Sequence, residues 1–130
     1  MKTRIALISL TLLMLAGCAA PKNSPPPRKP VTDKRITVDE ALRHSVSVMG
    51  LSPATSGGGF LSIQVDLQNT TRSEQAIVCE VEWLDDYRLP INLPVPSTTS
   101  MTLQGLERSA MVIAAPTPRA KDFRLKIHQP

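Results

Sequence analysis

From Leu61 to Leu67 every second residue is apolar: Leu61, Ile63, Val65 and Leu67 alternate with Ser62, Gln64 and Asp66. Side chains on an extended strand point to opposite faces in turn, so a period of two gives a ribbon with one oily and one wet side. The pattern returns at Ile77, Cys79, Val81 and Trp83, with Glu80 and Glu82 between them, and again at Phe123, Leu125 and Ile127, with Arg124, Lys126 and His128 opposed. Such ribbons must lay their apolar sides against one another, which restricts the chain to packed sheets.

Shorter extended segments fill the gaps. Val46 and Val48 alternate with serines, Thr98–Leu103 and Ala110–Ala115 suit strands, and Ile36–Leu42 reads as a short strand followed by one helical turn. Ala54–Gly59, Asn69–Ser73, Asp85–Arg88 and Pro116–Ala120 are turns. Between Leu89 and Pro96, prolines occupy every second position at Pro90, Pro94 and Pro96, broken by Asn92. Each proline lacks a ladder donor, so this arm is an edge or a crossover rather than a central strand. Six to seven short strands divided by turns predict an all-β antiparallel sandwich over residues 36–130, with a barrel as the alternative.

The N-terminus carries a different message. Lys2 and Arg4 precede an apolar run, Ile5–Leu15, which is too short to span a bilayer as a helix. Leu15-Ala16-Gly17-Cys18 follows and resembles the lipobox of bacterial lipoproteins. Small residues beside the scissile bond suit a signal peptidase, and Cys18 supplies the thiol that takes a diacylglyceryl group. The expectation is a cleaved signal peptide (1–17) and a lipid anchor at Cys18 made durable by several acyl chains. Lipoprotein sorting logic reads Ala19, in place of Asp, as direction to the outer membrane, facing the periplasm.

Residues 18–35 contain Pro21, Pro25, Pro26, Pro27 and Pro30 among polar and basic residues. Proline stiffens such a segment toward an extended helix of about 3.1 Å per residue, giving a disordered tether with a reach of roughly 40–50 Å. The formal charge of +4 divides unevenly. The tether holds Lys22, Arg28, Lys29, Lys34 and Arg35 against Asp33, whereas the remainder of the mature chain is mildly acidic. A nucleic-acid-binding domain wants its basic residues clustered on the folded surface, so that class is disfavoured.

Candidate chemistry is sparse. His44 and His128 lack ligand-type spacing, Asp85 and Asp86 are adjacent turn residues, and no serine sits in a nucleophile elbow. Gly57-Gly58-Gly59 leads into a strand rather than a helix, so it is no phosphate loop. The expectation is a protein without enzymatic activity, metal or cofactor. Cys79, the one cysteine besides Cys18, falls on the apolar face of its strand and reads as a buried thiol, with an intermolecular disulfide as the alternative. Trp83 reads as core. Asn69-Thr70-Thr71 fits a glycosylation sequon, which a bacterial signal makes coincidental.

Several pieces in series carry a resemblance: Val65-Asp66-Leu67-Gln68-Asn69-Thr70-Thr71, then Val81-Glu82-Trp83-Leu84-Asp85, Leu103-Gln104-Gly105-Leu106-Glu107, and Ala114-Ala115-Pro116 with Ala120-Lys121-Asp122-Phe123-Arg124-Leu125. Across roughly Val46–Ile127 the chain resembles the YcfL-like family of small periplasmic lipoproteins. The resemblance implies an immunoglobulin-like sandwich on a lipid anchor and brings no established activity. Members are often encoded beside activators of cell-wall synthases. The family pattern expects a glycine in the tight turn after Trp-x-Asp, and Asp86-Tyr87-Arg88 has none.

The reading that follows is a non-catalytic interaction or accessory module, held at the membrane through Cys18, whose partner is another envelope protein or the wall. Its rivals are a structural lipoprotein subunit of a secretion or appendage complex, and a small-ligand or glycan-binding module.

Overall fold

The computed structural model describes residues 28–130. The expected signal peptide, the lipobox-like residues Leu15, Ala16 and Gly17, the expected anchor Cys18 and the expected sorting residue Ala19 lie outside the described residues.

Seven strands form two sheets: β1 (Ile36–Val38), β2 (Val46–Thr55), β3 (Leu61–Asn69), β4 (Gln75–Leu84), β5 (Ser97–Leu103), β6 (Arg108–Ala114) and β7 (Asp122–His128). One sheet has the order β1-β7-β4-β5 and the other β2-β3-β6. They pack face to face as a sandwich with its own strand order. The apolar faces read from the alternation meet in the middle: Ile63, Val65, Leu67, Ile77, Cys79 and Ile127 are fully buried, with Trp83, Phe123 and Leu125 at 1% exposure. The Trp83 indole keeps its polar edge satisfied by donating Nε1–H to Ser97 Oγ at 2.7 Å. Cys79 is buried, so an intermolecular disulfide is sterically closed, and desolvation pushes its thiol pKa up to about 12.

Three departures from simple alternation have local causes. All pairings are antiparallel except that of β1, which runs parallel to β7 with Ile36 opposite Leu125 and Val38 opposite Ile127. This strand is entered from the N-terminal lead-in rather than through a hairpin, so nothing forces it to reverse. Second, β2 runs on to Thr55 through residues read as a turn. Met49 is an extra residue in a bulge between Val48, opposite Leu67, and Gly50, opposite Asp66, which breaks the period of two. Pro53 is accepted because β2 lies at a sheet edge and needs no second ladder donor there. Third, the arm 89–96 forms no strand: Ile91 N–H donates to Trp83 O at 2.9 Å and Pro90 makes a single bridge to Leu84. It is the loop joining β4 to β5, adjacent antiparallel partners in one sheet, and so neither an edge strand nor a crossover; Ile91 and Leu93 pack on the core.

One polar residue is buried with this core. Asn69 is 0% exposed at the end of β3. Its Nδ2 lies 2.6 Å from Ser73 O, 3.0 Å from Gln104 O and 3.2 Å from Leu103 O, sharing two protons among three carbonyls. Its Oδ1 accepts from Thr71 N (2.9 Å) and Thr71 Oγ1 (2.7 Å). The side chain thereby ties the β3–β4 crossover to the β5–β6 connection, each of which passes from one sheet to the other. Gly105 permits the close approach, since a Cβ there would collide with the Arg72 carbonyl. With its amide turned inward, Asn69 is no glycan acceptor.

Asn69→Ala leaves several buried carbonyls and an N–H without partners, each worth about 1–3 kcal/mol. The expected loss is about 2–4 kcal/mol in denaturant unfolding, with Asn69→Asp also strongly destabilised because its carboxylate would face three carbonyls. In a Cys18→Ser chain, Cys79 is expected to resist maleimide at pH 8 until denaturant is added. Rapid labelling of the native protein would contradict its burial.

Candidate functional site

A sandwich of two open sheets has four edge strands, here β1, β2, β5 and β6. Unpaired main-chain groups at an edge recruit another strand unless the edge is short, bulged, covered, or marked by proline or charge. The four edges differ in this respect, and they differ by flank.

On one flank, β1 is three residues long, and β2 carries the Met49 bulge and Pro53. The turn between them seats Leu42 fully buried. The segment 28–35, read from its prolines as the end of the tether, lies on the domain and straps this flank. Val31 N–H donates to Val48 O at 2.8 Å, and Arg35 O accepts from Leu125 N at 2.8 Å. Arg35 is clamped three ways. Its guanidinium pairs with Asp33 at 2.8 Å and Asp122 at 3.4 Å, and its centre lies 4.6 Å from the Phe123 ring centroid. The Arg35 hydrogen bonds, first side chain and then main chain, bring the Asp33 carboxyl down to about 2. At the strap's start Arg28 reaches Asp66 at 3.8 Å, with Gly50 leaving the space that the Asp66 side chain fills.

The opposite flank is bare. The short connection 104–107 carries the chain from β5 in one sheet to β6 in the other, so both strands border the same side. Ser97–Leu103 reads Ser-Thr-Thr-Ser-Met-Thr-Leu, without charge or proline; in β6 the only charge is Arg108 at its start. Among the described residues the main chain of both strands bonds only to its own sheet neighbour, except that Leu103 O also accepts from Asn69. Val112 stands 65% exposed on the outer face of β6.

Across β4, β7 and β1, and reaching β5 only at Ser97, the outer face of the four-stranded sheet holds an open groove of about 570 Å³. Its floor is a charge ladder, in which Glu82 meets Arg124 at 3.2 Å and Glu80 stands opposite Lys126 in register; beyond the groove His128 approaches Glu80 at 3.7 Å. Ile91, Leu93 and Pro96 of the β4–β5 loop border it. Opposite charges on neighbouring strands compensate one another, so the groove offers hydrogen bonds and a modest apolar wall rather than a field of one sign. Among the described residues, no three His, Cys, Asp or Glu side chains approach closely enough to hold a metal. His44 lies in the β1–β2 turn and His128 at the end of β7, at the strand ends the sequence indicates. Asp85 serves its turn, accepting from Tyr87 N at 2.8 Å and Leu89 N at 3.0 Å.

Sequence reasoning did not find this asymmetry. The uncharged composition of β5 and β6 was visible, but which strands become edges depends on pairing between segments far apart in the chain.

Residues 34–129 match the family described as "Protein of unknown function (DUF1425)". No curated protein matches. Two solved structures are similar at 18% identity, which shows the fold alone. The crystal structure of Campylobacter jejuni cj0090 superposes with a TM-score of 0.64, covering 75% of this chain and all (100%) of that one. A DUF1425 family member from Shewanella sp. pv-4 superposes with a TM-score of 0.58, covering 65% of this chain and 78% of that one.

The strap supplies a pH test. Asp33 has a native pKa near 2 against an ordinary 3.8, so the unfolded chain binds the proton more readily between those values. Its stabilising contribution is therefore complete above about pH 4 and lost as pH falls toward 2. Asp33→Asn is expected to be less stable than wild type at pH 7, with the gap closing over that acid window in unfolding midpoints. A gap that persists undiminished at pH 2 would rule out the carboxylate as its origin.

Proposed function

The chain belongs to the DUF1425 family, and on that premise we propose that it is a YcfL-like envelope lipoprotein. In this reading it is anchored through Cys18 at the periplasmic face of the outer membrane and acts as a non-catalytic protein-interaction module. The observation that carries the proposal is the unequal guarding of the two flanks. Two edges are shortened, bulged, proline-bearing or strapped, while β5 and β6 leave two unguarded edges side by side. Edge strands left open in this way take an extended segment of a partner by main-chain pairing, with alternate side chains read on either face. On β5 the partner would pair along Ser97–Leu103, where the exposed Thr98, Ser100 and Thr102 offer uncharged polar contacts. An accessory role near cell-wall synthesis is the functional setting that the YcfL-like resemblance suggests.

The lipid anchor and tether fit this role, because a tethered domain samples a limited shell above the membrane and meets its partner at high effective concentration. A photo-crosslinking residue at Ser100 or Val112 is expected to capture one defined envelope protein in intact cells. The same probe at Glu40 or Arg43, on the strapped flank, should capture little. Cys18→Ser is expected to abolish the adduct by releasing the domain from the membrane. Equal labelling from both flanks would defeat the edge assignment, and an adduct unaffected by Cys18→Ser would defeat the role of the anchor.

A further inference from the structure

At the end of the sandwich where β4 finishes and β7 begins, Lys34, Arg35, Arg88 and Arg124 line a recess of about 450 Å³. Two carboxylates, Asp33 and Asp122, share it, and both are bound to Arg35. Arg124 is engaged by Glu82. Lys34 and Arg88 are left without a carboxylate partner among the described residues, and both are exposed. The recess therefore keeps a net positive charge on a domain whose folded part is otherwise mildly acidic.

Arg88 is there against the preference of its backbone. Its φ is 61°, in the left-handed region that glycine enters freely and arginine seldom does. The Asp85 carboxylate holds the turn, accepting from Tyr87 N and Leu89 N, while Arg88 N donates to Asp85 O at 3.0 Å. A glycine would build the same turn with less strain, so the turn itself gives no reason for the guanidinium. Its neighbours are unusual too: Tyr87 is 84% and Leu89 59% exposed, an aromatic and an aliphatic side chain presented to solvent on either side of the cation.

We propose that this recess is a phosphate-binding site that docks the end of the domain onto an anionic phospholipid surface, with Lys34 and Arg88 on the headgroup phosphate and Tyr87 and Leu89 in the interfacial layer. The charge complementarity selects phosphate. Arginine presents parallel donors that match two of its oxygens, and lysine adds a point charge. The exposed apolar pair selects a lipid source over a free phosphoester, because amphipathic rings and aliphatic chains beside cations are what a headgroup boundary accommodates. Arg35, pinned by two aspartates and Phe123, acts as the fixed wall of the recess. The choice of a lipid over a soluble phosphate rests on the membrane-proximal reading given above; the recess does not.

Residues 28–130 contain both sheets and the buried core that holds them together, so this segment without any lipid serves for the test. Sedimentation with vesicles of phosphatidylcholine alone, and of equal parts phosphatidylcholine and phosphatidylglycerol, is expected to show binding to the anionic vesicles only. Arg88→Gly and Lys34→Gln should each weaken it about fivefold, the equivalent of about 1 kcal/mol for one basic residue at such a surface. Arg108→Gln, at the opposite end, should change it less than twofold. Arg88→Gly should unfold at the same or a higher temperature than wild type, which separates lost binding from lost structure. An equal effect from Arg108→Gln would reduce the attraction to net charge and overturn the site. Inorganic phosphate perturbing the Arg88 and Lys34 amides without vesicle binding would overturn the lipid assignment, and silence toward both would overturn the recess altogether. None of these outcomes depends on acylation of Cys18, so the anchor can fail without the site, and the site without the anchor.

Discussion

The Asn69 side chain is the hinge on which the two sheets agree. A sandwich held only by oily faces can slide, because the hydrophobic effect has little directional content. Asn69 adds direction: five short contacts from one buried amide fix the β3–β4 crossover against the β5–β6 connection. Because both connections cross between sheets, pinning one to the other sets how β4 and β5 lie over β3 and β6. Gly105 is the steric condition for that bond set, and Thr71 its polar completion.

From this register follows the contrast between flanks. The β5–β6 connection places two edge strands on one side, and the N-terminal lead-in closes the other. The strap couples the tether to the fold: the last residues before β1 form hydrogen bonds and ion pairs with β2, β3 and β7 rather than hanging free. A pull from the N-terminal side would load the Arg28–Asp66 pair and the Val31–Val48 hydrogen bond first, and then the Asp33–Arg35–Asp122 cluster beside the basic recess that contains Arg35.

Much of the sandwich was legible because its core strands obey the simplest rule available to a strand. Leu61–Leu67, Ile77–Trp83 and Phe123–Ile127 bury the faces that alternation assigns them, and Cys79 and Trp83 lie where their apolar neighbours place them. Legibility failed where the backbone broke the period, as at the Met49 bulge, or where a residue's task was remote. Asn69 reads locally as a turn residue; only the fold brings Leu103 and Gln104, more than thirty positions away, to its amide. Arg88 reads as one charge in a turn, and its left-handed backbone and its company with Lys34 have no sequence signature beyond a missing glycine.

The sequence by itself determined that this chain makes two-faced strands with an aliphatic interior, and that its basic charge gathers toward the N-terminus ahead of those strands. Those are properties of neighbours one or two residues apart, which alternation and composition record directly. The tertiary structure decided which strands are edges, which edges are covered, and which cations share a recess. Each of these depends on pairing between distant segments, and no local period encodes it.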